Sequence, residues 1–288
     1  MNPGIAVAFF GLLGLFLGSF ANAVALRYDP ERFLFAPAGG RSRCPACART
    51  LGPLELVPVL SWIALRGRCR GCRQPISARY PLAELGTGIA TALVPLGLMA
   101  SSAQFLEPWR FGVAAGCWTL IVLFLAILTL VDLEHYLIPD EASIAIAVLG
   151  GVAAYATLPA FTEATGSFLG SYAMLAGLHG SPLLARLAGA AAAGGVLLLL
   201  YGITRGRGIG FGDVKLAAAL GIAFAWPDSL VIVGLAFVIG SLAAVPALLS
   251  GKASMKTALP FGPFLAIAAV LVLGFGDDLA RAYFGLLL

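Results

Sequence analysis

Charge is what this sequence has least of. Of its 288 residues 18 are basic and 14 acidic, 11% in all, against about 25% in soluble domains, and its mean hydropathy is +0.97. That composition excludes a soluble globular domain and leaves a polytopic membrane protein. Short alternating strand segments are also missing, which excludes a transmembrane β-barrel. Nucleotide loops are absent: Gly251-Lys252 lacks the spacing of a phosphate-binding loop, and the glycines between 206 and 212 do not form the dinucleotide pattern. With only two histidines, His135 and His179, a serine nucleophile served by a histidine base has little support.

What is present is a series of eight apolar stretches, about 4–26, 81–101, 112–131, 142–159, 184–204, 214–226, 229–249 and 258–275. Most approach the roughly 20 residues a helix needs to cross a bilayer; the sixth is short. The fold expected is all-α and polytopic, with about eight transmembrane helices and a small cytoplasmic zinc-binding domain inserted after the first. Residues 1–26 form the first helix, 27–80 the zinc domain and 81–288 the main membrane domain. Ala21-Asn-Ala23 resembles a cleavage site, but no basic residue precedes the first stretch and Arg27 follows it. A retained helix with its N-terminus outside is therefore expected.

Between Arg27 and Arg79 there are ten arginines against three acids. With eight spans, this loop, Arg205–Lys215 and Lys252–Lys256 share one side, which then holds fifteen basic residues against three (Arg110, Arg186, Arg281) on the other. The positive-inside rule makes that side cytoplasmic. Attraction to anionic lipid accounts for the basic loop without nucleic acid.

The same loop carries Cys44-Pro-Ala-Cys47 and Cys69-Arg-Gly-Cys72, with 21 residues between the pairs. Two such knuckles supply four thiolates to one tetrahedral zinc, a closed and hence structural site; disulfides are rare in the reducing cytoplasm. Cys117, alone in an apolar stretch, is read as packing. Pro81 is placed to start a helix, with Glu84 in its first turn, where it either favours the helix dipole or contacts substrate or cofactor. The stretch 160–183, with Glu163, His179 and several glycines, reads as an external loop or a partly membrane-associated hairpin.

Two acids stand at helix ends on the cytoplasmic side. Asp132 lies in Val131-Asp-Leu-Glu-His-Tyr-Leu-Ile-Pro-Asp140, and Asp213 closes the glycine-rich turn Gly208-Ile-Gly210-Phe-Gly212-Asp213. Carboxylates at such depth point to function, and the glycines admit a peptide closely. Paired aspartates activate water without a metal: one takes a proton from water while the other donates to the carbonyl or leaving amine. The bland alternatives are that Asp213 pairs with Lys215 and that Asp132 caps a helix. Asp140 and Glu141 read as N-terminal charges of the next helix, and His135 as exposed.

Gly18-Ser-Phe-Ala-Asn22 with Arg27, the Cys-x-x-Cys pairs flanking Glu55–Trp62, Arg66–Cys72, Pro75-Ile-Ser, Tyr80-Pro-Leu-Ala-Glu84-Leu, Asp132 with Ile138-Pro-Asp140, and Gly210-Phe-Gly-Asp213-Val-Lys-Leu together resemble the bacterial type IV prepilin leader peptidases. The resemblance implies an inner-membrane aspartic peptidase of the GxGD type that removes the short basic leader of prepilins and pseudopilins after a glycine. It implies Asp132 and Asp213 as the catalytic pair and Cys44, Cys47, Cys69 and Cys72 as zinc ligands. It also implies methylation of the new N-terminus with S-adenosylmethionine. The long segment 160–183 departs from the family's pattern. A proton- or cation-coupled transporter and a zinc-containing assembly scaffold of a secretion system remain alternatives, and the sequence leaves a homodimer open.

Overall fold

The computed structural model describes residues 2–35, 40–101, 106–163, 167–176, 181–249 and 259–286. Nine α-helices lie among them: α1 Pro3–Ala25, α2 Leu60–Ala64, α3 Arg79–Ser101, α4 Pro108–His135, α5 Asp140–Glu163, α6 Pro182–Thr204, α7 Phe211–Phe224, α8 Asp228–Leu249 and α9 Gly262–Gly285. Eight of them coincide with the eight apolar stretches, and seven are long and apolar enough to cross a membrane. Starts are set by local chemistry. Pro3, Pro108 and Pro182 stand in first turns, where a missing N–H costs nothing, and the Asn2 and Ser181 side chains cap α1 and α6.

At 14 residues, α7 is about 21 Å long and falls short of a bilayer. Its far end stops where Arg186 of α6 donates to the carbonyls of Ile222 (2.6 Å) and Ala223 (2.9 Å), satisfying C-terminal groups that lipid would leave bare. Small residues set the packing. A Cβ on Gly14 or Gly18 of α1 would meet Thr91 or the Glu84 backbone of α3 at 2.7 Å, and one on Gly221 of α7 would meet Ala190 of α6 at 2.4 Å. Close helix approach of this kind drives association where lipid removes the hydrophobic difference. Exposed side chains such as Phe9, Leu12, Ile144 and Val238 face outward, as a lipid-bathed surface requires.

The stretch 160–183 is not a hairpin in its described part. Helix α5 continues to Glu163 and Gly170–Ala176 forms a 3-10 turn. The segment is pinned to the bundle because Asp228, fully buried, accepts from the Ser167 hydroxyl and the Phe168 N–H (2.8 Å), and Phe168 packs edge-on against Trp118. His179 and the Lys252–Lys256 cluster lie outside the described residues.

Candidate active site

Asp132 sits three residues before the end of α4 and Asp213 is the third residue of α7; both are buried. They line one cavity of about 540 Å³ together with Ile138, Gly210 and Gly212. The chain after α4 is turned by Tyr136, in the left-handed conformation, whose N–H donates to the Asp132 carbonyl at 2.9 Å. The turn brings Ile138, buried, against Gly212, where a Cβ would come within 3.1 Å of it. Glycine at 212 thus lets the start of α7 close on the end of α4.

Each aspartate is held by one backbone N–H. Asp213 Oδ2 accepts from Gly210 at 2.9 Å, and Asp132 Oδ2 accepts from Gly262, the first residue of α9, at 3.1 Å. Among the described residues neither Oδ1 has a hydrogen-bond partner. Both carboxylates therefore do some helix capping, Asp132 for α9 and not for its own helix, while one oxygen of each remains to face the cavity.

The ion pair between Asp213 and Lys215, the bland alternative to a functional role, is not formed. Lys215 pairs with Asp140, and both line the same cavity. Asp140 is also the first residue of α5, the position the sequence indicated. His135 is exposed, with its ring 5.6 Å from that of Tyr28. Gly262 was not identified from sequence, although Pro260-Phe-Gly-Pro263 is a breaker cluster and a Cβ at 262 would lie 2.7 Å from Asp132 Oδ2.

The cysteines form a second constellation. In each pair the first cysteine's N–H donates to the carbonyl five residues on (Cys44 to Arg49, Cys69 to Gln74, both 2.9 Å), and the residue after the second cysteine, Ala48 or Arg73, is left-handed. The repeated turn points both sulfurs of a pair the same way. All four Sγ atoms lie within 4.8 Å of one another, and Cys44 and Cys72 are 3.8 Å apart. Zinc–sulfur bonds of about 2.3 Å in a tetrahedron put sulfurs about 3.8 Å apart, so the donor set fits zinc. The Cys72 and Gly71 N–H groups lower the Cys69 thiol to about 6. Despite an N–H from Gln74, burial and the adjoining sulfurs raise Cys72 to about 11. Further ionisation is resisted until a cation offsets the charge. Cys117 is buried in α4 away from the four.

Glu84 joins the two regions. It is the sixth residue of α3, beyond the first turn, because the helix begins at Arg79, which pairs with Glu134 and donates to the Leu130 carbonyl at 2.9 Å. The buried Glu84 carboxylate accepts the Val59 N–H at 2.7 Å, tying the start of α2 to the membrane bundle.

Comparison with known proteins places the chain in a family. Residues 12–97 match the bacterial peptidase A24 N-terminal domain, and residues 119–245 match the type IV leader peptidase family. Similar proteins include the prepilin leader peptidase/N-methyltransferases of Stutzerimonas stutzeri (31% identical, covering 98% of this chain and 95% of that protein), Aeromonas hydrophila (33%; 88% and 77%) and Burkholderia pseudomallei strain K96243 (34%; 96% and 87%). No solved structure matches. The chain is a multi-pass membrane protein that belongs to the type IV leader peptidase family.

Proposed function

We propose that this protein is an aspartic endopeptidase of the bacterial inner membrane. It cleaves the leader of type IV prepilins and pseudopilins after a glycine, at the cytoplasmic face, and then N-methylates the new N-terminus with S-adenosylmethionine. The observation that carries the peptidase reading is that Asp132 and Asp213, 81 positions apart in the chain, line one cavity at one end of the helix bundle. Two carboxylates in a shared, partly desolvated site do not ionise together with ease, so one holds the proton that the other has lost. The ionised carboxylate takes a proton from water as the water attacks the scissile carbonyl. The protonated one hydrogen-bonds the carbonyl oxygen and then gives its proton to the leaving amine. Gly210 and Gly212 leave room for an extended substrate backbone beside Asp213.

The apolar helix of the substrate lies laterally in the bilayer, so only the leader junction enters the cavity. The fifteen-to-three imbalance of basic residues supports a cytoplasmic position for this end. Residues 27–80 act as the zinc domain, with Cys44, Cys47, Cys69 and Cys72 holding one structural zinc, and residues 81–288 together with the helix of residues 1–26 form the membrane part. A transporter is disfavoured because both acids sit at helix ends on one side, not at the midplane.

The test is cleavage of a prepilin by the purified protein in detergent, followed by mass spectrometry with and without S-adenosylmethionine. Loss of one leader, with a further gain of one methyl only when the donor is present, is expected. An intact precursor in the presence of folded, zinc-loaded enzyme, across several prepilins, would overturn the assignment.

A further inference from the structure

The charge of the aspartate cavity runs against that of the face it opens on. Arginines dominate this end of the bundle, and a larger cleft of about 870 Å³, between residues 40–77 and the adjoining ends of α1 and α3, is lined by four of them (Arg27, Arg41, Arg43, Arg70) against two acids, Glu55 and Glu84. Both of those acids are engaged, Glu55 with Arg49 and Glu84 with the Val59 N–H. No residue lines both cavities. The aspartate cavity has the opposite balance, four carboxylates (Asp132, Asp140, Glu141, Asp213) against two cations, Arg32 and Lys215.

Its cations are spent and part of its acid is not. Arg32 lies 3.3 Å from Asp29, and Lys215 pairs with Asp140. Glu141, the half-buried second residue of α5, makes no hydrogen bond or ion pair among the described residues. Asp132 and Asp213, 4% and 7% exposed, each keep one oxygen without a partner there. The field of the α5 acids crosses the cavity: burial first, then Glu141 and Asp140, with a smaller part from Asp29, raise the Tyr28 phenol above its ordinary pKa. The dipole of α5 is already served by Asp140, so it does not require a second acid on the cavity wall.

We propose that Glu141, steadied by the Asp140–Lys215 pair beside it, is the subsite that receives a lysine or arginine side chain on the leader side of the scissile bond. The inference rests on the peptidase half of the function proposed above. With Arg32 on Asp29, Lys215 on Asp140 and one proton held by the catalytic pair, two negative charges remain in the cavity. One belongs to the ionised aspartate that acts on water, and the other is Glu141, which alone is left to meet a cation. A substrate whose other side is an apolar helix in the bilayer carries its charge on the leader. The arginine-rich surroundings repel such a leader, so a local acid beside the aspartates also selects where it comes to rest.

The experiment uses full-length zinc-loaded protein in detergent, where neither membrane potential nor anionic lipid acts on the leader. Three versions of one prepilin are the probes; they share the apolar helix and the glycine and carry lysine, glutamine or glutamate at the leader's basic positions. Initial rates at limiting substrate, read by mass spectrometry, give kcat/KM. The wild type should cut the lysine leader about tenfold faster than the glutamine leader, the size of one well-placed charge pair, and high salt should shrink that ratio. Glu141→Gln, matched to wild type in zinc content and melting temperature, should bring the ratio to within about twofold of unity, with the loss falling on KM. Glu141→Lys should cut the glutamate leader fastest. An equal fall for all three leaders in both variants would reduce Glu141 to a structural part of α5 and overturn the subsite, as would a wild type indifferent to leader charge; either result leaves the peptidase reading intact. A wild type that cuts none of the three removes that reading and the inference with it.

Discussion

Two cavities open at the same end of this protein, and they are built by opposite means. The aspartate cavity is made from helix ends: α4, α5, α7 and α9 converge there, and one oxygen of each aspartate is held by a backbone N–H. The neighbouring cavity is roofed by residues 40–77, whose regular structure is limited to five residues of α2, the 3-10 turn Pro53–Glu55 and isolated bridges within the two knuckles. The first is rigid because small residues let helices interlock. The second depends on the cluster of four cysteines and on Glu84 anchoring the loop to α3. A wall made by packing and a wall made by ligation fail under different insults.

Metal removal separates them most sharply. Structural zinc sites contribute about 10–16 kcal/mol of apparent binding energy to small domains, so chelation or Cys44→Ser should unfold residues 40–77. Prepilin cleavage should meanwhile stay within about tenfold of the loaded enzyme. Protease nicking in this segment, with zinc content by atomic absorption, measures the unfolding.

The converse insult is Gly262→Ala. Its Cβ would press on Asp132 Oδ2 at 2.7 Å and on Ile138 at 3.2 Å. Overpacking of this kind costs about 1–3 kcal/mol, and displacing a reacting group by about 1 Å can cost about 10²-fold in rate. Cleavage should fall by that order with zinc content unchanged, as read in a timed prepilin assay.

Gly18→Ala shifts α1 from the Glu84 backbone, which its Cβ would meet at 2.7 Å. Protease nicking within residues 40–77 should rise as the Glu84 tie to the Val59 N–H loosens, with cleavage hardly changed in a timed prepilin assay. The smallest effect belongs to Lys215→Met. Its pair with Asp140 is partly exposed, and such pairs contribute about 0–1 kcal/mol, so thermal stability should move by a degree or two at most by differential scanning fluorimetry.

The helices were legible because hydropathy alone marks a span: all eight apolar stretches became helices. The pairing of Asp132 with Asp213 was legible for a reason of parity. The eight crossings expected from hydropathy and the arginine count put both acids on one side, and the glycine turn identified the second as unusual. Gly262 was hidden because its partner Asp132 lies 130 positions away and an N–H donor carries no residue-type signal. Glu84 was misplaced by two positions since Pro81 is a plausible helix start, but Arg79 finds partners on α4 that extend the helix backwards. The anchoring of 160–183 was missed for the same reason as Gly262: Asp228, which holds it, reads locally as an ordinary first-turn acid.

The measurement closest to the central claim is the rate of prepilin cleavage by Asp132→Asn and Asp213→Asn, each matched to wild type in zinc content and melting temperature. The substitution keeps size and the N–H contacts and removes only the ability to exchange a proton. Both rates should fall at least about 10³-fold, since neither carboxylate can perform the two proton transfers alone. Cleavage at the wild-type rate by either variant would contradict the account.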